Sequence, residues 1–337
     1  MFTKINQYRI LRSLISAIMN KFRFYFILCC SIFTLFSCNK ADSETTIAIR
    51  DFDKQYTDDL AIIEDYLNTH YVEVTANQDV TISKITSGQP SIMSYLIDFD
   101  VVSDTYPQLK KKSVVIKEKT YFIYFLKLRP DNGTGISPSK ADEVFAAYDG
   151  RYLRYKTEKV DGVDVTTLEA TQFQYVPFPS IFFRLDTSIR GWREIMPLFR
   201  DGNPVSVPGE PESYENFGAG VIFIPSGLGY FSQPQPGIPS YSPLVFSFKL
   251  YDVKFGDQDG DGILSNDEDL NGDGDFTNDD TDGDGIQNLY DNDDDGDSFF
   301  TINEIKINGV VPATYDEILD CSGTTSGLKK HLDPDCN

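Results

Sequence analysis

Hydrophobic and polar positions alternate in different periods along this chain, and the period changes mark its parts. The segment "DFDKQYTDDLAIIEDYLNTHYVEV" carries Leu60, Ile63, Tyr66 and Leu67 at helical spacing, with acids in its first turn and Thr57 as a cap. Residues 71–118 are mixed, with strand-like "DVTISKI" and "SVVIKEK" between turn signals. From Lys119 the pattern becomes β-rich. "TYFIYFLKL" is a long apolar strand, "PDNGTGISPSKAD" a turn-rich loop, and "EVFAAYDGRYLRY" predicts two strands around Asp149-Gly150. "QFQYV", "IFFRL", "GAGVIFIP" and "PLVFSFKLYDV" complete about six antiparallel strands. Among them lies "IRGWREIMPLFRDG", where Trp192, Ile195, Met196 and Phe199 fall on one face of a short helix. Pro197 removes a helical hydrogen bond there, which a helix held by packing absorbs. One helix laid across an antiparallel sheet predicts an α+β fold.

The N-terminal pattern is of another kind. Lys21 and Arg23 precede an apolar run from Phe24 to Phe36, followed by Ser37-Cys38. The run is too short for a bilayer span, which needs roughly 20 residues, and reads as an export signal. It resembles a bacterial lipoprotein signal, in which the cysteine is diacylated and becomes the new N-terminus. That resemblance implies lipid on Cys38, attachment to a membrane and a cell-envelope location; Phe36 is bulkier than usual at its position. A simple signal peptide or short anchor is the alternative. Met19 fits as a start better than Met1, because the residues before it add nothing to a signal. Cys29 and Cys30 leave with the signal, so Cys321 and Cys336 remain as a pair. In an exported protein they suggest a disulfide closing the tail, with free buried thiols as the alternative.

Charge changes the picture at the other end. The net charge is −22, yet the first 37 residues carry five basic residues and no acid, so the chain without them stands near −27. Eighteen of the acids, with no Lys or Arg, lie between Asp257 and Glu304. The acidity is one local device and argues against nucleic acid as a partner. Asp257, Asp259, Asp261, Gly262, Ser265 and Glu268 match a twelve-residue calcium loop with oxygens at positions 1, 3, 5, 9 and 12. The second window reads Asp269, Asn271, Asp273, Gly274, Thr277 and Asp280. The third reads Asp280, Asp282, Asp284, Gly285, Asn288 and Asp291, so that Asp280 is shared. The fourth reads Asp293, Asp295, Asp297, Thr301 and Glu304, with Ser298 where glycine is preferred. The first three windows abut with no room for flanking helices, which points to a calcium-wired array similar to thrombospondin type-3 repeats. Without Ca²⁺, such density of like charge repels itself into a disordered tail, which is the alternative.

The β-rich segment resembles the FKBP family of peptidyl-prolyl isomerases over roughly Lys119 to Lys254. "SIRGWREIMPLFRDG" resembles that family's helix signature, and "IPSGLGYFSQPQPGIPSYSPLVFSFKLYDV" its closing loop and strand. "LRPDNGTGISPSKADEVFAAYDG" resembles its first strands. The resemblance implies a pocket with Trp192 as floor, Tyr148 and Phe173 as outer walls, and Ile181 and Phe246 as deeper walls. It further implies that the Ile189 N–H and the Tyr230 hydroxyl donate to the bound peptide and that Ile238 lines the flap. Two positions depart from the family: Gln174 stands where an aspartate is usual, and Ser188 where a valine is. The insertion "PGEPESYENFGAG" lengthens the link from helix to next strand.

These readings divide the chain into a signal (1–37), a tether and N-terminal extension (38–118), an FKBP-like domain (119–254), acidic calcium-binding repeats (255–305) and a tail (306–337). The function expected is prolyl isomerisation or chaperoning of exported proteins, with proline-containing segments as partners. The alternative is a non-catalytic binding module or surface adhesion protein that uses the array as a spacer. A hydrolase is disfavoured, since the only histidines, His70 and His331, lie outside the motif and no Ser/His or metal-site arrangement accompanies them.

Overall fold

The centre of the molecule is a seven-stranded antiparallel sheet, and both of its faces are covered. The computed structural model describes residues 49–336 apart from 117, 118 and 132; the export signal and Cys38 lie outside the described residues. The strands are β3 (Gln108–Ile116), β4 (Lys119–Lys127), β5 (Glu143–Val160), β6 (Val163–Val176), β7 (Phe183–Arg184), β10 (Gly218–Ile224) and β11 (Leu244–Lys254). Their order is β3-β4-β10-β11-β5-β6, with β7 on β5. Two short hairpins, β1 (His70–Val74) with β2 (Val80–Lys84) and β8 (Asn203–Val205) with β9 (Ser213–Glu215), stand apart from it. The mostly antiparallel sheet and few helices are compatible with the α+β class.

Side-chain alternation explains the two covers. Along β10, Ile222 and Ile224 point into one core, and Ala219, Val221 and Phe223 into the other. Every residue of this central strand is buried, so it reads in sequence as a continuous apolar run. The first core holds helix α2 (Arg190–Ile195), whose Trp192 and Ile195 lie with Phe125, Phe246 and Phe248. The second holds helix α1 (Phe52–Thr69), whose Ile63, Tyr66 and Leu67 lie with Leu126, Val221 and Phe223.

Helix α1 starts earlier than its pattern suggests. Asp51 is its cap, accepting from the Lys54 N–H at 2.9 Å, while the Thr57 hydroxyl donates inside the helix to the Asp53 carbonyl. The apolar stripe set the expected start, but a polar first turn precedes the stripe. The helix also grips the loop between β10 and β11. Asp59 is fully buried and accepts from the Ser226 N–H at 2.7 Å and the Ser226 hydroxyl at 2.6 Å. Phe52 stacks on Phe231 at 4.1 Å, and the Arg50 N–H donates to the Tyr241 hydroxyl.

Helix α2 fits against the sheet because Gly191 has no side chain: a Cβ there would meet Ile224 at 2.5 Å. Its Glu194 is buried among Lys112, Lys140 and Arg190, at 3.2, 3.3 and 3.1 Å. Burial opposes its charge, yet these three cations hold its carboxyl below the usual range. Pro197 is absorbed by a change of helix type, since the α-helix ends at Ile195 and a 3₁₀ turn, Met196–Leu198, continues.

The two strands expected around Asp149-Gly150 are one. Strand β5 runs unbroken past Gly150 and takes a bulge against β6 between Gly150 and Arg151. Glycine is there for space, because a Cβ would meet both Phe173 and Phe246 at 2.8 Å.

Beyond β11 the chain is loops and single turns, with one short helix, α3 (Thr301–Glu304), among them. Ile263, Ile305 and Ile318 form a small separate core beneath them. Cys321 and Cys336 are joined as a disulfide with a Cα–Cα distance of 5.6 Å. From Arg50 onward the chain is one compact unit. No helix among the described residues is long and apolar enough to cross a membrane.

Candidate functional site

Trp192 is enclosed by a box of aromatic rings. It is 4% exposed, and its ring meets Tyr148 at 5.6 Å, Phe183 at 5.4 Å, Phe246 at 5.2 Å and Phe248 at 5.7 Å, edge-on or tilted. Each wall has a structural reason. Tyr148 comes from β5, Phe246 and Phe248 from one face of β11, and Phe183 from the short edge strand β7. Phe173, on β6, reaches Phe246 edge-on at 5.6 Å across the gap that Gly150 leaves open.

Ile181 does not belong to the box. It is 74% exposed and lies just before the residues through which β7 pairs with β5. Phe183, two residues on, packs edge-on against Trp192 instead. The signal was the aromatic pair inside "IFFRL", with Phe183 in the same alternation as Ile181.

The polar groups around the box are donors. Ile189 caps α2, and no group among the described residues engages its N–H. Burial pushes the Tyr230 hydroxyl up, which keeps it protonated at neutral pH. Burial, then the neighbouring Tyr230, raises Tyr148 as well, while the Gln174 side chain acts on it in the opposite direction. Gln174 thus stands beside Tyr148 as a neutral partner. Ile238 is buried and is pinned by a two-way backbone pairing with Gln235 at 2.9 and 3.1 Å. Its loop is the one held by α1.

The acidic windows fold into turns with a shared closure. In the first, third and fourth, the position-nine N–H (Ser265, Asn288, Thr301) donates to the carbonyl just before the loop, at 2.8, 2.9 and 3.0 Å. The same three side chains accept the position-two N–H, of Gln258, Thr281 and Asp294, at 3.1, 2.9 and 3.3 Å. Ser265 therefore braces its loop instead of offering a free ligand. Asp257, Asp259 and Asp261 bring one oxygen each within 4.8 Å of one another, as do Asp280, Asp282 and Asp284, and Asp293, Asp295 and Asp297. Asp291 faces Asp284 and Asp282, and Glu304 faces Asp295, Asp297 and Asp293. Burial first, then those neighbours, push Glu304 up to about 8. Ser298 takes the left-handed φ of 78° that glycine would take.

The second window is different. Asn271 donates its amide to Asn278 at 3.1 Å, and Asp273 accepts from Asn278 at 2.9 Å. Asp280 belongs to the third loop, where it accepts from the Gly283 and Gly285 N–H groups. Asp279, missed in the sequence, is the carboxylate that faces Asp269 and Asp273.

The donor set suits a hard divalent cation. Buried carboxylate oxygens of Asp259, Asp261, Glu268, Asp293, Asp295, Asp297 and Glu304 have no hydrogen-bond partner among the described residues. Leaving them so costs several kcal/mol per ion, roughly, unless a cation or proton compensates.

Three comparisons bear on relatedness. The family model described as BamM C-terminal matches residues 258–327. No curated protein matches the chain. Of the solved structures it is similar to, a peptidyl-prolyl cis-trans isomerase from Pseudomonas syringae pv. tomato is 16% identical, with a TM-score of 0.29 over 61% of this chain and 97% of that one. FkpA from Escherichia coli is 27% identical, with a TM-score of 0.26 over 39% of this chain; only 48% of its own length is spanned. At those TM-scores neither likeness bears on the fold, the site or the function of this chain.

Proposed function

We propose that this chain is an exported, lipid-anchored protein whose sheet domain grips proline-containing segments and speeds their cis–trans isomerisation, and whose acidic loops are ordered by calcium. The observation that carries the first part is the aromatic box, with Trp192 as floor and two hydrogen-bond donors beside it. Trp192, Tyr148 and Phe246 among its rings are residues that the resemblance to FKBPs implies for the pocket. A peptide bond resists rotation by about 18–20 kcal/mol because resonance keeps it planar. X-Pro bonds hold both isomers at low cost but exchange over tens of seconds or more. The twisted state has lost resonance and is less polar than the planar amide. A dry box that holds the proline ring, with the Ile189 N–H and Tyr230 hydroxyl directed at the peptide, favours that state. A thousandfold gain needs about 4 kcal/mol of such preference. No nucleophile and no general base are required.

The acidic loops support the calcium reading through their unpartnered inward oxygens. Bound Ca²⁺ would supply charge neutralisation and order, and no step at the box depends on it. A cell-envelope location rests on the signal that precedes Cys38, and the BamM C-terminal match is in keeping with it.

A second reading, a binder without turnover, has a specific observation in its favour: Gln174 sets no charge beside Tyr148. A protease-coupled isomerisation assay on X-Pro peptides separates the two. The proposal expects saturable acceleration that Trp192→Leu removes and Gln174→Asp increases. Binding of the peptides without acceleration would leave the binder reading standing.

A further inference from the structure

One carboxylate cluster falls outside the four-window pattern. Asp261 and Glu268 come from the first loop and Asp294 from the fourth, and each offers an oxygen within 4.8 Å of the others. All three are buried, at 1%, 2% and 2% exposure. Both oxygens of Glu268, both of Asp294 and Oδ2 of Asp261 have no hydrogen-bond partner among the described residues. Asp294 sits at the second position of its loop, a position that supplies no ligand in a twelve-residue calcium loop. Its backbone explains the aim of its side chain. The Asp294 N–H is held by the Thr301 hydroxyl at 3.3 Å, while Asp293 and Asp295 on either side face the fourth loop's own cluster with Asp297. The side chain between them is thereby turned to the opposite side, towards the first loop.

We propose that the cation held by Asp257, Asp259, Asp261 and Glu268 takes Asp294 as a further ligand, so that one ion clasps the first loop to the fourth. The inference rests on the calcium reading of the acidic loops. Calcium takes six to eight oxygens at about 2.3–2.6 Å, so ligands across the ion lie roughly 5 Å apart, a span that these oxygens match. The donors are all carboxylates, with no histidine or cysteine, which suits a hard cation and not zinc. Ser265 is spent on bracing its loop, and Asp294 fills a place on the ion that the loop itself leaves open. Residues 269–291 are then held at both ends by a single ion. Occupancy of the fourth loop, which fixes Asp293 and Asp295, also positions the fifth carboxylate of the first site.

The test is a calorimetric Ca²⁺ titration of the mature-length protein, wild type and Asp294→Asn, paired with limited proteolysis in calcium. The clasp predicts that Asp294→Asn weakens one site by about tenfold or more and speeds cleavage within 269–291 in calcium. It predicts no loss of thermal stability in chelator, since the substitution removes an uncompensated buried carboxylate. Wild-type calcium binding with an unchanged Asp294→Asn isotherm would overturn the clasp alone. Absence of binding by the wild type would overturn the calcium reading and the clasp with it. If Asp294→Asn does not fold, Asp294→Glu serves: its longer arm must lower affinity at one site only, and an unchanged isotherm counts against the proposal.

Discussion

Trp192, the chain's one tryptophan, takes its meaning from its neighbours on both sides. Gly191 lets the helix press onto Ile224, and Gly150 on the opposite strand clears the space between Phe173 and Phe246. Two glycines thus make room for the close packing around Trp192 and Phe246. Trp192→Ala empties a large buried volume, a change that typically costs about 3–5 kcal/mol, and Trp192→Leu leaves a smaller void and costs less. Urea unfolding should rank them in that order. Both should weaken prolyl-peptide binding, because each removes the flat surface under the ring; a folded Trp192→Leu protein binding as tightly as wild type would make Trp192 core and nothing more. At this scale the sequence was legible where a residue type has one common use. It misled where chain direction decides: Ile181 and Phe183 share an alternation, yet only the second lies on a paired strand. Asp294 was invisible, since its loop position carries no ligand by rule and its partners come from a loop remote in sequence.

Among the elements, helix α1 does more than cover a face of the sheet. Through Asp59 and Phe52, and with Arg50 just before its cap, it fixes the loop from Ser226 to Tyr241, which carries Tyr230 and Ile238. Periodicity announced the helix but could not announce this contact, because Asp59 reads as a polar-face residue until Ser226 is placed against it. Burial pushes the Asp59 carboxyl up to about 6, although the Ser226 and Gln55 hydrogen bonds act against the rise. Its folded value therefore lies above its unfolded one, so the folded state binds the extra proton. Stability should fall as pH rises from about 4 to about 6 and then stay level, by about 2–3 kcal/mol from this group. Urea midpoints across that range should show the slope in wild type and a flatter one in Asp59→Asn. Identical slopes would mean that the Asp59 carboxyl does not sense burial. The acidic loops teach the complementary lesson. Their spacing set out twelve-residue windows, while the bracing role of Ser265, Asn288 and Thr301 emerges only from the folded hydrogen bonds.

For the whole molecule, the two devices are built from opposite materials. The sheet domain has two apolar cores, whereas the loops beyond β11 rest on one small core, a disulfide and many carboxylates. Calcium should therefore protect residues 257–304 from protease and leave the digestion of the sheet domain unchanged. Equal cleavage of the loops with calcium and with chelator would contradict an ion-ordered array. Charge alone marked out the acidic stretch in the sequence. Its attachment to the sheet was not legible there, because it depends on single contacts such as the Asp142 carboxylate accepting the Gly256 N–H at 3.0 Å.

The central claim is that the box around Trp192 turns prolyl bonds over. Exchange NMR on a short X-Pro peptide measures this without any coupling protease. A small fraction of the protein should bring the slow cis and trans signals into measurable exchange, at a rate proportional to protein concentration, and Trp192→Leu should return them to the uncatalysed rate. Peptide signals that broaden or shift on binding while cis–trans exchange stays at its uncatalysed rate would contradict the claim.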